Sequence, residues 1–172
     1  MNNIRGARLI PNNATYDELS SPVGILTIIT SAKGLHAILW DNDNRNLGCL
    51  TRSKEDPLII QTKKQLGDYF QGERKLFDLP LVLNGTNFQI QAWNQLIKIP
   101  YATTISYAKQ AERIGNKNKA RAVGVANGQN PISIVIPCHR VIGSNGHLVG
   151  FAGGLDKKSY LLNLEKSNHE YK

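Results

Sequence analysis

A short apolar run enclosed by two prolines constrains the fold of this chain more than any other segment. Residues 132–136 read ISIVI and lie between Pro131 and Pro137. β-Branched side chains favour strands, and a nearly continuous apolar run of this length is typical of a buried strand. Proline has no N–H to donate to a neighbouring strand, so the strand must end at Pro137. We therefore predict a short buried strand that leads directly to Cys138.

The two residues after that proline, Cys138 and His139, are candidates for chemistry. On a continuing strand their side chains would point to opposite faces. Both can serve one site only if the chain turns here, or if His139 acts through a water molecule. Glycine-rich turns at 143–146 and 153–154 indicate a tightly folded loop around the thiol. A buried inert thiol is the commonest fate of a free cysteine, so the Cys–His pair alone leaves both interpretations open.

The first half of the chain has the pattern of a small α/β unit. Residues 22–40 contain two β-rich runs around a polar turn and predict a hairpin. Asp56 is placed to cap a helix, and Pro57 to be its first residue. A turn-rich stretch without helical period follows that helix. We therefore predict a domain over residues 1–86 and a second domain over residues 87–172.

The second half predicts three short helices, over 88–97, from 108 up to Gly115, and over 117–130. Gly115 provides the left-handed residue that often ends a helix. The second and third helices, separated by a Gly-Asn turn, form a helix-turn-helix pattern. Many helix pairs share this pattern, so it is weak support for DNA binding when taken alone.

Charge is concentrated in this second half. The chain holds 21 Lys and Arg against 13 Asp and Glu, a net charge of +8. Residues 1–86 carry 10 basic and 9 acidic side chains, whereas residues 87–172 carry 11 and 4. Such an excess favours an anionic partner, with nucleic acid as the first candidate. Solubility alone would explain the charge equally well.

A glycine inside the third helix needs an explanation, because glycine there costs roughly 1 kcal/mol relative to alanine. Gly124 stands among other small residues over 120–126. Close packing within the chain and close approach of a ligand such as a DNA backbone both explain it, and the sequence favours neither.

Several classes of protein are excluded. No apolar run approaches the ~18 residues of a membrane helix, and no signal-peptide pattern opens the chain. Cys49 and Cys138, with four scattered histidines, fit neither a disulfide framework nor zinc spacing, and we expect Cys49 to be incidental. No glycine-rich nucleotide-binding motif occurs. We expect a soluble cytoplasmic protein, or a nuclear one in a eukaryote, with no metal and no cofactor.

Four segments of the second half occur in the order and at the spacing of a known family. The chain resembles the 6-O-alkylguanine-DNA alkyltransferases, the methylated-DNA–protein-cysteine methyltransferases, over roughly residues 88–165. The first half fits that family in outline and lacks the zinc ligands of some members. The resemblance implies an α/β N-terminal domain plus a mostly α C-terminal domain, with a helix-turn-helix and a short strand leading to the active-site cysteine. The matching segments are ISYAKQA (105–111), RAVGVANGQNP (121–131), IPCHRV (136–141) and VGFAGGL (149–155), followed by Leu161, Leu162 and Glu165.

The resemblance implies a single-turnover reaction. Cys138 would take the alkyl group of 6-O-methylguanine in duplex DNA. Only a few per cent of an ordinary thiol is ionised at neutral pH, so a base is needed. The family assigns that role to His139 acting through a water, with Glu165 orienting the imidazole. A methyl thioether is a poor leaving group, so the protein would act once.

The resemblance also assigns roles in DNA binding. Arg121 would fill the space of an extruded nucleotide, Tyr107 would drive its rotation and protonate the departing guanine, and Asn130 would join the helix-turn-helix to the active-site loop. Binding would be to the minor groove of double-stranded alkylated DNA, largely independent of sequence. We expect a monomer, and cooperative loading on DNA stays open. The small residues predicted to face DNA are Ala120, Ala122, Gly124 and Ala126, and those predicted to line the guanine pocket are Val141, Val149, Gly150, Phe151, Ala152 and Gly153.

Three alternatives remain at this point. A non-catalytic lesion-binding protein would keep the fold and Arg121, but such relatives replace the cysteine that is present here as Cys138. A helix-turn-helix regulator would bind a specific sequence and accept no alkyl group. A cysteine hydrolase would leave the basic half and Arg121 without a role.

Overall fold

A computed structural model of the chain describes residues 10–43 and 47–170. Its first half is built on a four-stranded sheet in the order β3-β2-β1-β4. The strands β1, β2 and β3 form an antiparallel meander, and β4 pairs parallel to β1. Their bounds are Thr15–Ser21 for β1, Gly24–Ser31 for β2, Gly34–Leu39 for β3 and Thr51–Arg52 for β4.

The predicted hairpin over 22–40 is confirmed as β2 and β3. Ser31 pairs with Gly34 across a two-residue turn, and Gly34 has a φ of 139°, a value that favours glycine. Strand β1, which pairs along its whole length with β2, is not predicted by the sequence patterns.

Helix α1 spans Pro57–Phe70 and packs against β1 and β2. Asp56 caps it, because its side chain accepts hydrogen bonds from the backbone N–H groups of Leu58 and Ile59. The predicted cap and the predicted first residue are both confirmed. One face of α1 is buried against the sheet and the second half of the chain.

The helix-turn-helix is present in the second half. Helix α2 spans Asn87–Ile97, and strand β5 (Ile105–Ser106) leads into α3, which spans Tyr107–Arg113. Gly115, with a φ of 96°, follows the C-cap of α3, as predicted. The third predicted helix is shorter than expected: a 3-10 turn over Lys117–Lys119 precedes α4, which spans Ala120–Gly128.

The segment leading to Cys138 is only partly the strand that the sequence predicts. Ile132 bridges to Ile38 and Ser133 bridges to Ile136, but Ile134 and its successor turn, with Ile134 at a φ of 74°. The cause is the side chain of Asn130, which accepts from the N–H of Ile132 and donates to the carbonyl of Ile136. Those two bonds close the segment into a loop and interrupt the extended run.

The chain then turns through a 3-10 segment, Cys138–Arg140, into β6 (Val141–Ile142), which pairs parallel to β5. Helix α5 spans Leu155–Glu170. The largest buried cluster takes side chains from both halves, among them Ile38, Leu66, Trp93, Ile136 and Leu161. The predicted fold class is therefore confirmed, while the division at residue 86 stays a prediction. Within the described residues, no helix is both long enough and apolar enough to cross a bilayer.

Candidate active site

Cys138 is the first residue of the 3-10 turn and only 5% of it is exposed. Asn130 donates a hydrogen bond to its Sγ over 3.2 Å while the same amide group holds the carbonyl of Ile136 at 2.7 Å. Asn130, two residues beyond the end of α4, thus contacts the turn that carries Cys138. Because the chain turns directly after Pro137, Cys138 and His139 need not point to opposite faces.

His139 is fully buried beside Glu165 of α5. Its Nε2 lies 2.8 Å from Glu165 Oε1. A carboxylate can only accept, so Nε2 carries the hydrogen and the other ring nitrogen is left bare. That nitrogen, Nδ1, is buried and finds no hydrogen-bond partner among the described residues. His139 therefore has one free position at which to accept a proton.

Glu165 is held by four other donors as well. Tyr69 donates its hydroxyl to Oε1 over 2.8 Å, and the backbone N–H of Ala102 donates to Oε2 over 2.9 Å. Arg140 donates from Nη2 to Oε1 over 2.8 Å and from Nε to Oε2 over 3.0 Å. Burial alone would raise the pKa of Glu165, but the hydrogen bonds and charges of His139 and Arg140 lower it from 4.5 to about 2. Glu165 is therefore a permanent buried anion beside the imidazole.

The protonation states of the two neighbouring groups follow from burial. Burial raises the pKa of the Cys138 thiol, although the hydrogen bond from Asn130 and the charge of Lys158 oppose it. Burial lowers the pKa of His139, although Glu165 opposes it. At neutral pH the site thus holds a protonated thiol, a neutral imidazole and a carboxylate, so the thiol needs a base before it can react.

Tyr107, at the start of α3, anchors the loop that follows β6. Its hydroxyl donates to the carbonyl of Val149 over 2.8 Å, and burial raises its pKa to about 12. Lys158 of α5 is fully buried and donates from Nζ to the carbonyls of Val141, over 2.6 Å, and Val149, over 2.9 Å. Burial lowers the pKa of Lys158. Two backbone segments, β6 at Val141 and the loop at Val149, are therefore gathered around Tyr107 and Lys158.

The residues predicted to line the pocket lie on this loop and on β6. Val141 is buried, while Phe151 is half-buried and packs edge-on against Trp40 with ring centroids 5.4 Å apart. Gly153 is buried. The remaining three, Val149, Gly150 and Ala152, are exposed.

Helix α4 leaves four of its five residues predicted to face DNA at least partly accessible. Arg121 and Ala122 are exposed, and Ala120 and Gly124 are half-buried. Ala126 departs from the prediction: it is 2% exposed, on the face of α4 that packs against α2, where its carbonyl accepts from Trp93 Nε1. Its side chain is turned into the core and cannot lie on a DNA-facing surface.

The structure also answers the question that Gly124 raised. A Cβ placed there would meet only the ring of Tyr107, at 3.7 Å, which is ordinary van der Waals contact. Packing within the chain therefore does not require glycine at this position. Close approach of a ligand at Gly124 stays a prediction.

Sequence reasoning missed four residues that shape the site: Tyr69, Arg140, Lys158 and Trp40. Arg140 directly follows His139, yet nothing local indicated that it pairs with a carboxylate 25 residues later. Tyr69 belongs to the apolar stripe of α1 and looked like an ordinary core residue. Within residues 10–43 and 47–170, no cluster of three or more His, Cys, Asp or Glu side chains is arranged to hold a metal ion.

Two protein-family models match the chain. The model described as the ribonuclease-like domain of 6-O-methylguanine DNA methyltransferase matches residues 14–83. The model described as the DNA binding domain of 6-O-methylguanine DNA methyltransferase matches residues 87–167. The second match includes the Cys138 turn and Glu165.

Curated relatives and a solved structure agree with these models. A methylated-DNA–protein-cysteine methyltransferase of Mycobacterium bovis is 54% identical over 152 residues, 88% of this chain and 92% of the relative. A protein of the same name from Methanosarcina acetivorans is 42% identical over 153 residues, 88% of this chain and 98% of the relative. The crystal structure of Mycobacterium tuberculosis OGT in complex with DNA superposes with a TM-score of 0.84 at 42% identity, covering 90% of this chain and 94% of that one.

Proposed function

The chain belongs to the 6-O-methylguanine DNA methyltransferase family and is a methylated-DNA–protein-cysteine methyltransferase of DNA repair, and on that premise we propose that Cys138 is the residue that takes the methyl group. The observation that carries this assignment is the set of buried hydrogen bonds formed by the thiol and by the histidine next to it. Asn130 holds the sulfur, and the neighbouring His139 keeps one bare nitrogen while Glu165 occupies the other.

The proton of the thiol is the first obstacle to the reaction. We propose that it moves from Cys138 to Nδ1 of His139 through an intervening water. The imidazole then becomes positively charged in a buried site, and the adjacent carboxylate of Glu165 stabilises that charge. Because Glu165 is held by Arg140 and Tyr69, it does not have to reorient as the charge develops.

The thiolate then displaces guanine from the methyl carbon. A bond forms between Cys138 Sγ and that carbon while the bond from the carbon to guanine O6 breaks, and the electron pair leaves with the base. Tyr107 is protonated at neutral pH, since burial raises its pKa to about 12, and its hydroxyl would turn from the carbonyl of Val149 to donate a hydrogen bond to the departing guanine. The product is a thioether, which is a poor leaving group, so each chain reacts once.

Access to Cys138 requires that the damaged nucleotide leave the double helix. The thiol is only 5% exposed, so a base that stays stacked in the duplex cannot reach it. We propose that α4 enters the minor groove of double-stranded alkylated DNA with its exposed small residues, and that exposed Arg121 fills the space of the flipped nucleotide. The protein is proposed to act as a monomer.

The experiment that tests this function mixes the protein with duplex DNA that carries one methyl-labelled 6-O-methylguanine, then maps the label by peptide mass. We expect one methyl group per chain, on Cys138. Cys138→Ala should transfer nothing and still bind the DNA, whereas Cys49→Ala, the matched control at the exposed cysteine, should transfer as the wild type does. Binding without transfer would indicate a lesion-binding protein instead, and label on Cys49 would place the nucleophile elsewhere.

A further inference from the structure

Trp40 connects the N-terminal half of the chain to the loop beside the thiol. It directly follows β3 and is 5% exposed. Its Nε1 donates to Ser133 Oγ over 3.0 Å, in the segment that leads to Cys138. Its ring packs against the edge of Phe151. The indole thus lies between the segment before the thiol and the loop after it.

The backbone of that loop rests on the indole. A Cβ placed on Gly153 would lie 2.8 Å from Cδ2 and Cε2 of Trp40, closer than real Cβ atoms approach. Glycine at 153 is therefore required by the ring of Trp40 from the other half of the chain. Because the indole is held by Ser133, this contact fixes where the loop can lie.

Two polar contacts reinforce the same connection. Asn42 donates from Nδ2 to the carbonyl of Ala152 over 3.2 Å. Asp41 forms an ion pair with Lys157 of α5, and Lys157 Nζ also lies 5.3 Å from the centre of the Trp40 ring. Of the three residues that follow β3, Trp40 and Asn42 therefore contact the loop, and Asp41 contacts the helix that follows it.

A cavity of about 380 Å³ adjoins this connection. Its lining includes Trp40, Ser133, Ala152 and Asn130, the residue whose amide holds Cys138 Sγ. The cavity thus brings Trp40 and Ala152 of the loop together with Asn130, which contacts the thiol.

We propose that Trp40 is a positioning residue for alkyl transfer: it holds residues 151–153 as the wall against which the extruded guanine binds, so the N-terminal half helps to build the substrate pocket. This inference rests on the proposed assignment of that loop to guanine binding. It predicts that loosening the contact weakens capture of the base and leaves the chemistry of Cys138 and His139 in place.

The first test measures the loop without any reaction. Hydrogen exchange of the full chain is followed in the peptide that contains residues 151–154, where the N–H of Gly154 is bonded to the carbonyl of Phe151. Trp40→Ala should accelerate exchange there by about tenfold or more. Ile59→Ala, which removes another buried side chain of the first half, should leave the loop unchanged. Equal exchange in wild type and Trp40→Ala would overturn the proposal, whether or not the protein transfers methyl groups.

The second test separates capture of the base from the chemical step. Single-turnover rates with free 6-O-methylguanine give a limiting rate and a half-saturating concentration. Trp40→Ala should raise the half-saturating concentration by about tenfold and change the limiting rate much less, and Trp40→Phe, which keeps an aromatic ring beneath the loop, should restore most of the loss. A merely less stable protein would lower the reactive fraction and leave the half-saturating concentration unchanged, and that result would contradict the proposal.

The contact between Gly153 and Trp40 allows a third test, which compares the two single variants with the double variant. Gly153→Ala alone should impair capture of the base, because its Cβ overlaps the indole. In a Trp40→Ala background the indole is gone and Phe151, whose Cε1 lies 3.1 Å from that Cβ, has room to move aside, so Gly153→Ala should cause little further loss. Fully additive losses would show that the two positions act independently. If the wild type bound DNA but transferred nothing, the proposed function would fail, while the exchange experiment would still decide the role of Trp40.

Discussion

Glu165 receives hydrogen bonds from a histidine, an arginine, a tyrosine and a backbone N–H, all in a site closed to solvent. Glu165→Gln keeps the shape of the side chain but removes the charge that balances a protonated His139. We expect methyl transfer at neutral pH to slow by about a hundredfold, the lower end of what a positioned base contributes. The measurement is the single-turnover transfer rate from duplex DNA, on protein shown to be folded by circular dichroism.

Glu18→Gln is the matched control, since Glu18 is an exposed carboxylate of the first half that forms an ion pair with the exposed Arg52. It should transfer at the wild-type rate. An unchanged rate in Glu165→Gln would remove Glu165 from the reaction and leave it a structural role only.

The same residues predict how the fold responds to acid. Glu165 and His139 both have a lowered pKa in the folded chain, so both bind fewer protons folded than unfolded, and lowering the pH favours unfolding. The unfolding free energy should begin to fall below about pH 6.5, as His139 takes up a proton. It should fall further from pH 4.5 towards about pH 2, as Glu165 becomes protonated. The shift of Glu165 corresponds to roughly 3 kcal/mol of unfolding free energy. Urea unfolding of the wild type and of Glu165→Gln between neutral pH and pH 2 would measure it, since other carboxylates with a lowered pKa, such as Asp17, affect both proteins alike. An equal pH dependence in the two proteins would contradict the assignment.

Only part of this site could be read from the sequence. Cys138, His139 and Arg140 are consecutive, and the two prolines that flank residues 132–136 indicate where the apolar run ends and the site begins. Glu165 lies 26 residues beyond its partner and resembles any acid of a helix, so only the family resemblance pointed to it. No local pattern could reveal Trp40, because its importance arises where it meets Gly153, more than a hundred residues away.

At the scale of elements, the ends of helices were predicted well and the strands less well. Asp56, Pro57 and Gly115 act locally, through a capping hydrogen bond or through their own backbone angles. Distant parts of the chain therefore do not change their effect. The run at 132–136 is different: its apolar composition is typical of a strand, but the side chain of Asn130 closes it into a loop. Strand β1 was missed because its pairing depends on β2 rather than on its own residues.

Helix α4 offers a test of DNA binding that does not disturb the reaction. Gly124→Ala has room for its methyl group, so we expect the unfolding free energy to rise by about 0.5–1 kcal/mol through helix propensity. The added methyl group would stand on the proposed DNA-facing surface. Affinity for duplex DNA should therefore fall by about tenfold, the equivalent of ~1.4 kcal/mol. Fluorescence anisotropy with a labelled duplex measures the affinity.

Gly67→Ala is the matched control for that change. Gly67 also lies inside a helix, α1, and a Cβ there would meet nothing within 4 Å. It should gain similar stability and bind DNA as the wild type does. Equal DNA affinity in both variants would mean that α4 does not approach the DNA closely at Gly124.

At the scale of the whole molecule, charge and chemistry are divided unequally between the halves. The excess of Lys and Arg lies in residues 87–172, which also carry Cys138 and α4, whereas residues 1–86 are nearly neutral. The first half contributes instead through buried contacts, Tyr69 to Glu165 and Trp40 to Ser133. Both halves are therefore needed for one site, although only one of them carries the electrostatic attraction to DNA.

This division predicts that salt acts on DNA capture and not on the transfer step. Displacement of counterions from phosphates makes DNA affinity fall steeply with salt, so repair of a duplex at limiting concentration should slow by about tenfold or more between roughly 50 and 200 mM salt. Transfer from free 6-O-methylguanine involves no phosphate and should change little over the same range. Parallel single-turnover rates on the two substrates measure the difference. If salt slowed both equally, the effect would lie in the buried site around Cys138 and Glu165 rather than on the basic surface.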